Sequence, residues 1–483
     1  MSAPQAIGMF AALGGAALAV VAPRPAVRFP ALAIALAAAV ALIAGEVWLT
    51  SRLAPLRHHP PLAVLVLGAV AVALVALALA FRRYPAAFPI AAFVLLPLRV
   101  PLAIGGQTSS LLVPLYGVIA AGLLALGYDA LSERAGADDP PPWHSSPAAR
   151  WLRALIAAFL LLYAIQATYS LDVRNAIENA AFFYVPFAAL LVLLLEVRWS
   201  RGLVRRLLIA ITAAMLVLAV IGIGEYAVRG LILNQDLRAE NAIHIYFRVN
   251  SLFRDPNIFG RYLALGLVAL AAYLAWERRW APALAAMASA GVMLLALAFS
   301  FSLTSFAALL IGLLVLAWAR LGPRAAAGAV GAMAICAGVF LLVTGPRTTE
   351  VGSGGAGRTS LVHGGLELAA DRPVWGWGSG AFGEAFYTHI ERAKTTASHD
   401  TPIATAAEQG VIGLAVYAAL VVAALAVMLA PDVRGSPARA GAAALFVVMI
   451  VHSLGYASFL EDPATWAILA LGLVLAQRAP LPQ

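Results

Sequence analysis

Long apolar segments recur along the whole chain, and they constrain its fold more than any other feature. Most contain about 17 to 22 residues, enough at about 1.5 Å per residue for a helix to cross a hydrocarbon core about 30 Å thick. The 483 residues are 63% hydrophobic and only 11% charged, and the mean hydropathy is +0.91. Soluble domains do not have this composition, so we expect a polytopic integral membrane protein.

The predicted fold class is all-α, with about 12–15 transmembrane helices and a large outer loop that carries amphipathic helices. Runs such as 62–81 and 415–430 lack the alternation of apolar and polar residues that marks a transmembrane strand. The predicted spans cover residues 6–22, 30–49, 61–81, 86–98, 111–128, 152–169, 179–196, 207–226, 260–276, 281–299, 303–320, 325–344, 404–430, 441–459 and 464–477.

The distribution of arginines predicts the orientation of the chain. Counted from the N-terminus, the odd-numbered loops are rich in arginine, whereas the short even-numbered loops hold only Arg52, Arg57, Arg99 and Arg174. By the positive-inside rule the odd loops face the cytoplasm. We therefore expect a multi-pass protein of the cytoplasmic (inner) membrane with a periplasmic or extracytoplasmic active face. A nucleic-acid-binding protein would gather its basic residues in one domain, so nucleic acid is not an expected partner.

These spans and loops divide the chain into four predicted regions. An N-terminal transmembrane bundle covers 1–227, and a core transmembrane region that begins with an outer loop covers 228–344. A large outer loop covers 345–403, and C-terminal transmembrane helices cover 404–483.

The first long outer loop ends in "FRVNSLFRDPNIFGRYLALGL", residues 247–267. Asp255 followed by Pro256 predicts a turn and a helix start, because proline suits the first helical position and aspartate caps free amide groups. Arg248, Arg254 and Arg261 surround this turn. They are expected either to hold an anionic substrate or to contact lipid phosphate at the headgroup level.

The second long outer loop contains a predicted amphipathic helix over 359–370. Val362, Leu366 and Ala369 fall on one face of it, although Gly364 and Gly365 disfavour a helix. Pro373 and three glycines then interrupt regular structure among five aromatic residues. We expect these aromatics to anchor the loop at the lipid surface or to support a sugar, and they are Trp375, Trp377, Phe382, Phe386 and Tyr387.

His399 is the histidine most suited to chemistry. It precedes a span, beside Asp400 and shortly before Glu408, on the face that Arg248 and Arg358 share. A neutral imidazole accepts a proton from an attacking hydroxyl, and one arginine side chain can donate hydrogen bonds to two phosphate oxygens at once. Gly410 and Gly413, which follow, are expected to let their span pack closely on a neighbouring helix.

Motifs for metals and nucleotides give no credible site. HExxH, CxxC and P-loop patterns do not occur, and the one GxGxxG match, at 378–383, lies in an outer loop with no strand before it. We predict no metal and no cofactor.

Three stretches resemble the O-antigen ligase and O-antigen polymerase superfamily of bacterial envelope proteins. Together they span roughly residues 245–415. "RVNSLFRDPNIFGRYLAL" is similar to the family's arginine, aromatic and Pro-Asn pattern before a span. "GRTSLVHGGLELAADRPVWGWGSGAF" is similar to its arginine, amphipathic helix and Gly-x-Gly-x-Gly series. "SHDTPIATAAEQGVIGL" is similar to its histidine and Glu-x-Gly-x-x-Gly ending.

The resemblance implies a GT-C-like, metal-independent, inverting glycosyltransferase. Its donor would be a glycan on undecaprenyl pyrophosphate, its acceptor a hydroxyl of a glycan or of a lipid A core, and membrane lipids would surround it. His399, Arg248 and Arg358 would be catalytic: the histidine activates or aligns the acceptor, and the arginines neutralise the pyrophosphate. The implied substrate-binding residues are Arg254, Arg261, Asn257, Trp375, Trp377 and Glu408. Glu408 would orient His399, cap a helix or line the site.

Other readings of the residues remain open. The acceptor could belong to a lipid A core, a growing repeat-unit chain, a protein or another surface polysaccharide. A transporter or flippase of amphipathic, lipid-linked substrates is the alternative from another class, although transporters usually place charges at mid-membrane depth. A membrane subunit without activity is the third reading.

Overall fold

The computed structural model describes residues 1–48, 53–104, 107–132, 147–233, 237–238, 241, 246–331, 353–390, 395, 398–429 and 431–475. Its elements are, in chain order, α1 (Ala3–Val21), α2 (Pro25–Trp48), α3 (Ala54–His58), α4 (Pro60–Arg83), α5 (Ala87–Leu95), β1 (Val100–Ile104), β2 (Gln107–Leu111), α6 (Val113–Ser132), α7 (Pro147–Ala167), α8 (Val173–Asn179), a π-helical turn (Ala180–Tyr184), α9 (Val185–Leu195), α10 (Arg201–Val228), α11 (Pro256–Leu274), α12 (Trp280–Ser300), α13 (Leu303–Leu321), α14 (Ser353–Asp371), α15 (Phe382–His389), α16 (Thr401–Met428), a 3₁₀ turn (Pro431–Gly435), α17 (Pro437–Ser453) and α18 (Pro463–Leu475).

The helices confirm the predicted polytopic membrane fold. Within the described ranges, ten helices are long and apolar enough to cross a membrane, counting α8 and α9 as one span. Three shorter apolar helices accompany them, in α6, α17 and α18. The predicted span at 325–344 is helical over 323–331, and the rest of it lies outside the described residues.

The predicted fourth span, 86–98, is wrong as a single membrane-spanning helix. It contains α5, a helix of 9 residues, which is too short to cross the hydrocarbon core. Pro97 and Pro101 follow it, and the residue before a proline is pushed away from helical geometry. The chain instead forms an antiparallel hairpin in which Val100 pairs with Leu111 and Ile104 with Gln107.

Capping residues start several helices where the sequence predicts. Asp255 accepts a hydrogen bond from the Asn257 N–H at 2.6 Å, and Pro256 follows it as the first residue of α11. Asp400 caps α16 in the same way by accepting from the Ile403 N–H at 3.0 Å. Each cap satisfies an amide that would otherwise lack a partner in the membrane.

The core of the bundle is centred on α9. Its eleven residues, "VPFAALLVLLL", are all buried, as expected for a helix that is apolar on every side. By contrast α4 lies at the periphery, where Val64, Leu65 and Leu67 are exposed.

Contacts between loops agree with the predicted alternation of faces. At one end of the bundle, Arg82 pairs with Asp129 at 2.8 Å, which joins two odd-numbered loops. At the other end, the Tyr169 hydroxyl donates to the Trp375 carbonyl at 2.8 Å, which joins two even-numbered loops. We call the end with the even-numbered loops the outer end and the opposite end the inner end.

Candidate functional site

Helix α16 is broken at Gly410, near the outer end. Gly410 has φ +65° and ψ −166°, a combination that essentially only glycine adopts. The backbone groups that the break frees are paired: Gln166 Nε2 donates to the Gln409 carbonyl at 3.1 Å, and the Val411 N–H donates to the Pro373 carbonyl at 2.7 Å. Because unpaired backbone is costly at membrane depth, these bonds are what allow the break to exist.

The prediction that Gly410 and Gly413 pack their span on a neighbouring helix is wrong. A Cβ at Gly410 would lie 2.2 Å from the Val374 carbonyl oxygen, so the close neighbour is the backbone of the outer loop. A Cβ at Gly413 would first meet Gln409 of its own helix, at 2.1 Å. The Glu-x-Gly pattern therefore marks a break in a helix that docks on a loop.

The Gly-x-Gly-x-Gly series forms that loop. Gly376, Gly378 and Gly380 have φ values of +67°, +99° and +73°. Side chains are strained in this region, and they would also collide: a Cβ at Gly376 would lie 2.3 Å from the Glu408 carbonyl oxygen, and one at Gly378 would lie 2.3 Å from the Ser170 Cα. The loop is thus wedged between the α7–α8 connection and the broken helix.

Three of the five loop aromatics are buried, so their predicted place at the lipid surface is wrong. Trp377, Phe382 and Phe386 are 6%, 1% and 0% exposed. They form a small core of their own with Leu368, Ala381, Ala385 and Ala407. Trp375 and Tyr387, at 56% and 40%, are the two that remain exposed.

The outer-loop helix α14 exists but buries a different face from the predicted one. Its buried positions include Gly364, Gly365 and Leu368, whereas Leu366 is exposed. The glycines that disfavoured a helix are the points of closest packing: a Cβ at Gly364 would lie 2.5 Å from the Phe386 ring, and one at Gly365 would lie 2.7 Å from Ile403. The helix therefore needs glycine to lie flat on α15 and α16.

A polar cavity of about 320 Å³ opens beside the break in α16, and we call it the outer cavity. Its walls come from α7, α8, the π-helical turn, α16 and the 456–461 loop. The side chains that give it polar character are Arg99, Tyr163, Asn175, Asn179, Tyr184, Thr401, Thr405, Glu408, Gln409, Tyr417, Tyr456, Ser458 and Glu461.

Two carboxylates face the outer cavity. Glu461 accepts a hydrogen bond from the Tyr184 hydroxyl at 3.0 Å, and burial raises the pKa of its carboxyl above the ordinary value. Glu408 accepts from the backbone N–H groups of Gly380 and Phe382 at 2.9 and 3.1 Å. Glu408 therefore lines the cavity and caps the start of α15, two of the three roles considered for it.

Three groups from the lining of the outer cavity have no hydrogen-bond partner among the described residues. They are Arg99 Nε, Thr401 Oγ1 and Gln409 Oε1. Buried polar groups without a partner are rare and each is costly. One donor, one acceptor and one hydroxyl around the same space are suited to a ligand that both donates and accepts hydrogen bonds.

Arg261 lies beside this cavity in a buried network, so its predicted contact with lipid phosphate is wrong. It is 1% exposed, and its Nη1 lies 2.6 Å from Asp462 Oδ2 and 2.7 Å from Ser458 Oγ. Its Nε donates to His452 Nδ1 at 3.1 Å. Its second terminal nitrogen, Nη2, has no partner among the described residues.

His452, which has no evident partner in the sequence, belongs to the same network. Since Nδ1 accepts from Arg261, the ring proton is assigned to Nε2, which lies 3.2 Å from the Asn257 carbonyl oxygen and 3.1 Å from Ser305 Oγ. The Asn257 side chain accepts from Ser302 Oγ at 2.9 Å. Asn257, predicted to bind substrate, thus ties α11 to α13 and α17.

His399 stands at the edge of the outer cavity. Its ring centroid lies 6.2 Å from that of Tyr456, which lines the cavity and whose ring lies 5.3 Å from the Arg261 guanidinium. His399 has φ +62°, an uncommon conformation for a residue with a side chain and one found at functional sites. The Ser398 hydroxyl and the Asp400 backbone form the turn that holds it, and burial raises the pKa of Asp400.

The predicted arginines do not gather around His399 in one lining. Arg248 Nε donates to the Ser300 carbonyl at 3.2 Å, beside the α12–α13 turn and outside the lining of the outer cavity. Arg254 is exposed and also lies outside that lining. Arg358 belongs to α14, but its side chain lies outside the described part of the structure.

The two predicted tryptophans hold the outer loop together. Trp375 accepts the Tyr169 hydrogen bond through its carbonyl while its ring is exposed. Trp377 Nε1 donates to the Leu368 carbonyl at 3.0 Å, and the Arg372 guanidinium lies 3.9 Å from its ring centroid. Neither ring is among the side chains that line the outer cavity.

Several residues in and beside the outer cavity were not predicted from the sequence. Glu461 and Asp462 are adjacent carboxylates in a short loop of a chain that is only 11% charged, a signal that singles them out. Asn175 and Asn179 lie four residues apart at the start of a span, which places two amides on one helix face. Arg99 lies in an even-numbered loop that is otherwise poor in charge. A lone arginine in such a loop is the sequence feature that could have indicated a functional role.

Comparison with known families adds evidence of a different kind. A family model described as O-antigen ligase matches residues 288–418. The match covers less than half of the chain, and it supports the resemblance to the O-antigen ligase and polymerase superfamily. Members of the O-antigen ligase family are glycosyltransferase-like enzymes of lipopolysaccharide and polysaccharide biosynthesis. No curated protein matches the chain.

The O-antigen ligase domain contains only part of the site. Arg358, Trp375, Trp377, His399 and Glu408 fall within 288–418. Arg248, Arg254, Asn257 and Arg261 precede it, and Tyr456, Ser458 and Glu461 follow it. The outer cavity is therefore completed by segments on both sides of the matched domain.

Proposed function

We propose that this protein is a membrane glycosyltransferase that moves a glycan from undecaprenyl pyrophosphate to an acceptor hydroxyl on the outer face of the cytoplasmic membrane. The observation that carries the proposal is the outer cavity. Its wall includes the broken helix of the O-antigen ligase domain, and three hydrogen-bonding groups of its lining have no partner among the residues that the structure describes. Sugar hydroxyls both donate and accept hydrogen bonds, so a glycan complements this lining.

In the proposed reaction the acceptor oxygen attacks the anomeric carbon of the donor sugar from the face opposite the pyrophosphate. The new glycosidic C–O bond forms as the bond to the pyrophosphate oxygen breaks, so the configuration inverts. His399 takes the proton of the acceptor hydroxyl, and undecaprenyl pyrophosphate departs with the electron pair.

Fixed cations stabilise the charge that develops on the leaving group. Arg248 and Arg358 keep the role that the resemblance implies. Arg99 is added because it lines the outer cavity and its Nε has no hydrogen-bond partner in the described part of the chain. Arg261 is proposed to position other residues. It pairs with Asp462, which lies 3.9 Å from Arg99, and its guanidinium packs against the Tyr456 ring. Because arginines supply the positive charge, the reaction is expected to proceed in the presence of a chelator.

The test uses protein purified into lipid nanodiscs, a polyprenyl-pyrophosphate-linked glycan and a set of acceptors, with glycan transfer followed by mass spectrometry. His399→Ala is expected to abolish transfer while the thermal unfolding midpoint stays close to that of the wild type. His363→Ala is the matched control, because His363 is exposed on α14. Equal transfer by His399→Ala and wild type would show that His399 does not take part in the reaction. Failure of the wild type to transfer glycan to any acceptor would refute the proposed function.

A transporter of lipid-linked glycans is the second candidate, favoured by the broken helix α16. Transporters use such breaks to present free backbone groups to their substrates. Here Pro373, Gln166 and Gly378 pair with the backbone groups around the break, which supports a rigid wall rather than a transport site. Translocation of a fluorescent lipid-linked glycan by vesicles that contain the protein but no acceptor would favour the transporter.

A further inference from the structure

An apolar groove of about 360 Å³ lies at the inner end of the bundle, far along the helices from the outer cavity. Helices α10, α11, α17 and α18 form its walls, for example through Ile211, Ala269, Leu445 and Leu471. Small residues of α17, among them Gly441, leave the space that these walls enclose.

The dimensions of the groove match one leaflet of a bilayer. It follows α10 from Arg201 to Ile211. At about 1.5 Å per residue this is roughly 15 Å, or half of a hydrocarbon core about 30 Å thick. An acyl chain that enters from the inner end would therefore be covered to the middle of the membrane.

Positive charge lies at the mouth of the groove. Arg201 and Arg205 are one helical turn apart on α10, both exposed, and neither pairs with a carboxylate within the part of the chain that the structure describes. Tyr273 also lines the groove, and its hydroxyl bonds Glu277 at 2.5 Å. That carboxylate is already paired with Arg279 at 2.9 Å, so it leaves the two arginines available.

Two helices begin at the mouth of the groove, near Arg201 and Arg205. Both α10 and α17 begin there, with Ser200 and Ser436 as their caps. The positive ends of their dipoles add to the field of the arginines, within about one turn of each helix.

We propose that this groove is a binding site for an anionic phospholipid of the inner-end leaflet. The phosphate group lies against Arg201 and Arg205, and one acyl chain occupies the apolar groove. The apolar walls select a lipid rather than a soluble phosphate, and the two arginines select an anionic headgroup over a zwitterionic one. The site does not depend on the proposed glycosyl transfer.

The test is native mass spectrometry of the purified full-length protein in detergent, titrated with phosphatidylglycerol or with phosphatidylcholine of the same acyl chains. Basic residues near an anionic headgroup contribute about fivefold in affinity each. The double variant Arg201→Ala/Arg205→Ala is therefore expected to bind phosphatidylglycerol roughly 30-fold more weakly than the wild type. Its affinity for phosphatidylcholine, whose choline cation offsets the charge of the phosphate, is expected to fall by a smaller factor.

Three controls separate the parts of the proposal. Arg278→Ala/Arg324→Ala removes the same charge from exposed positions elsewhere and is expected to bind like the wild type. Ala269→Phe fills the groove and is expected to weaken both lipids. Glycerol phosphate, which has a headgroup and no chain, is expected not to displace phosphatidylglycerol. The proposal is overturned if the two double variants bind phosphatidylglycerol equally, if Ala269→Phe binds like the wild type, or if glycerol phosphate competes as well as the lipid.

Discussion

The break at Gly410 makes a quantitative prediction about Gly410→Ala. At φ +65° and ψ −166° a residue with a side chain is strained by about 1–3 kcal/mol. The new Cβ would also lie 2.2 Å from the Val374 oxygen and 2.4 Å from its carbonyl carbon, both backbone atoms that no rotamer change moves away. Forcing an added group into a filled site costs about 1–3 kcal/mol more. We expect the free energy of unfolding to fall by about 2–6 kcal/mol.

The matched control is Gly291→Ala, which makes the same chemical change in the middle of α12. Apart from the backbone of its own helix turn, no atom of the described residues lies within 4 Å of the Cβ that it adds, and its φ is not positive. It is expected to be neutral or to stabilise by at most about 1 kcal/mol, because alanine is the better helix former.

Unfolding by sodium dodecyl sulfate in mixed micelles, followed by circular dichroism, measures both variants against the wild type. Limited proteolysis adds the location of the effect: Gly410→Ala is expected to expose the 373–382 loop, which docks on the break. If Gly410→Ala were as stable as Gly291→Ala, the inference that the break is fixed by this docking would be refuted.

Three further predictions concern the outer end. Trp377→Ala is expected to destabilise the protein by about 3–5 kcal/mol because the Trp377 ring is buried. Trp375→Ala is expected to cost under about 1 kcal/mol because the Trp375 side chain is 56% exposed. Similar losses of stability in thermal unfolding would contradict the positions assigned to these two rings. Arg261→Ala leaves the buried Asp462 carboxylate without its closest partner and is expected to lower the free energy of unfolding in detergent by about 3–5 kcal/mol. Arg254→Ala is the control and is expected to change this free energy little, because Arg254 is exposed. Equal effects of the two substitutions would argue against the buried network. Burial raises the folded-state pKa of Glu461, so the folded protein holds a proton that the unfolded chain releases, and stability falls as pH rises from the ordinary glutamate pKa through the raised one. Glu461→Gln is expected to flatten this pH dependence of the unfolding midpoint, whereas Glu367→Gln, at an exposed position, is expected to leave it unchanged. If the wild type and both variants showed the same pH dependence, a group other than Glu461 would be responsible for it.

Much of the architecture follows from the sequence because the membrane leaves few alternatives. Apolar length predicts most of the spans, and capping chemistry predicts the start of α11 at Asp255. The short helix α5 was misjudged because its apolar run continues past a proline that ends the helix. Hydropathy measures how apolar a segment is, and it does not measure how far the backbone remains helical.

The candidate site is harder to predict, since it is assembled from distant segments. His399 lies at the edge of the outer cavity, and Glu408 lines it, as the local motif suggests. Glu461, Tyr184 and Arg99 belong to other spans and loops, and no local pattern links them to that motif. The glycines of α14 were misread for a related reason: glycine weakens an isolated helix, but here it permits contact with Phe386 and Ile403, which only tertiary structure reveals.

The hydrogen bonds that close the break in α16 also impose an order on assembly. The Val411 N–H and the Glu408 carbonyl find their partners in residues 373–378, which precede them in the chain and lie at the opposite end from the inner loops. A newly inserted α16 lacks those partners until the loop before it has reached the same end of the bundle and folded. The final shape of this helix is therefore acquired only when residues 373–378 have folded against it, and the outer cavity forms after both segments are in place.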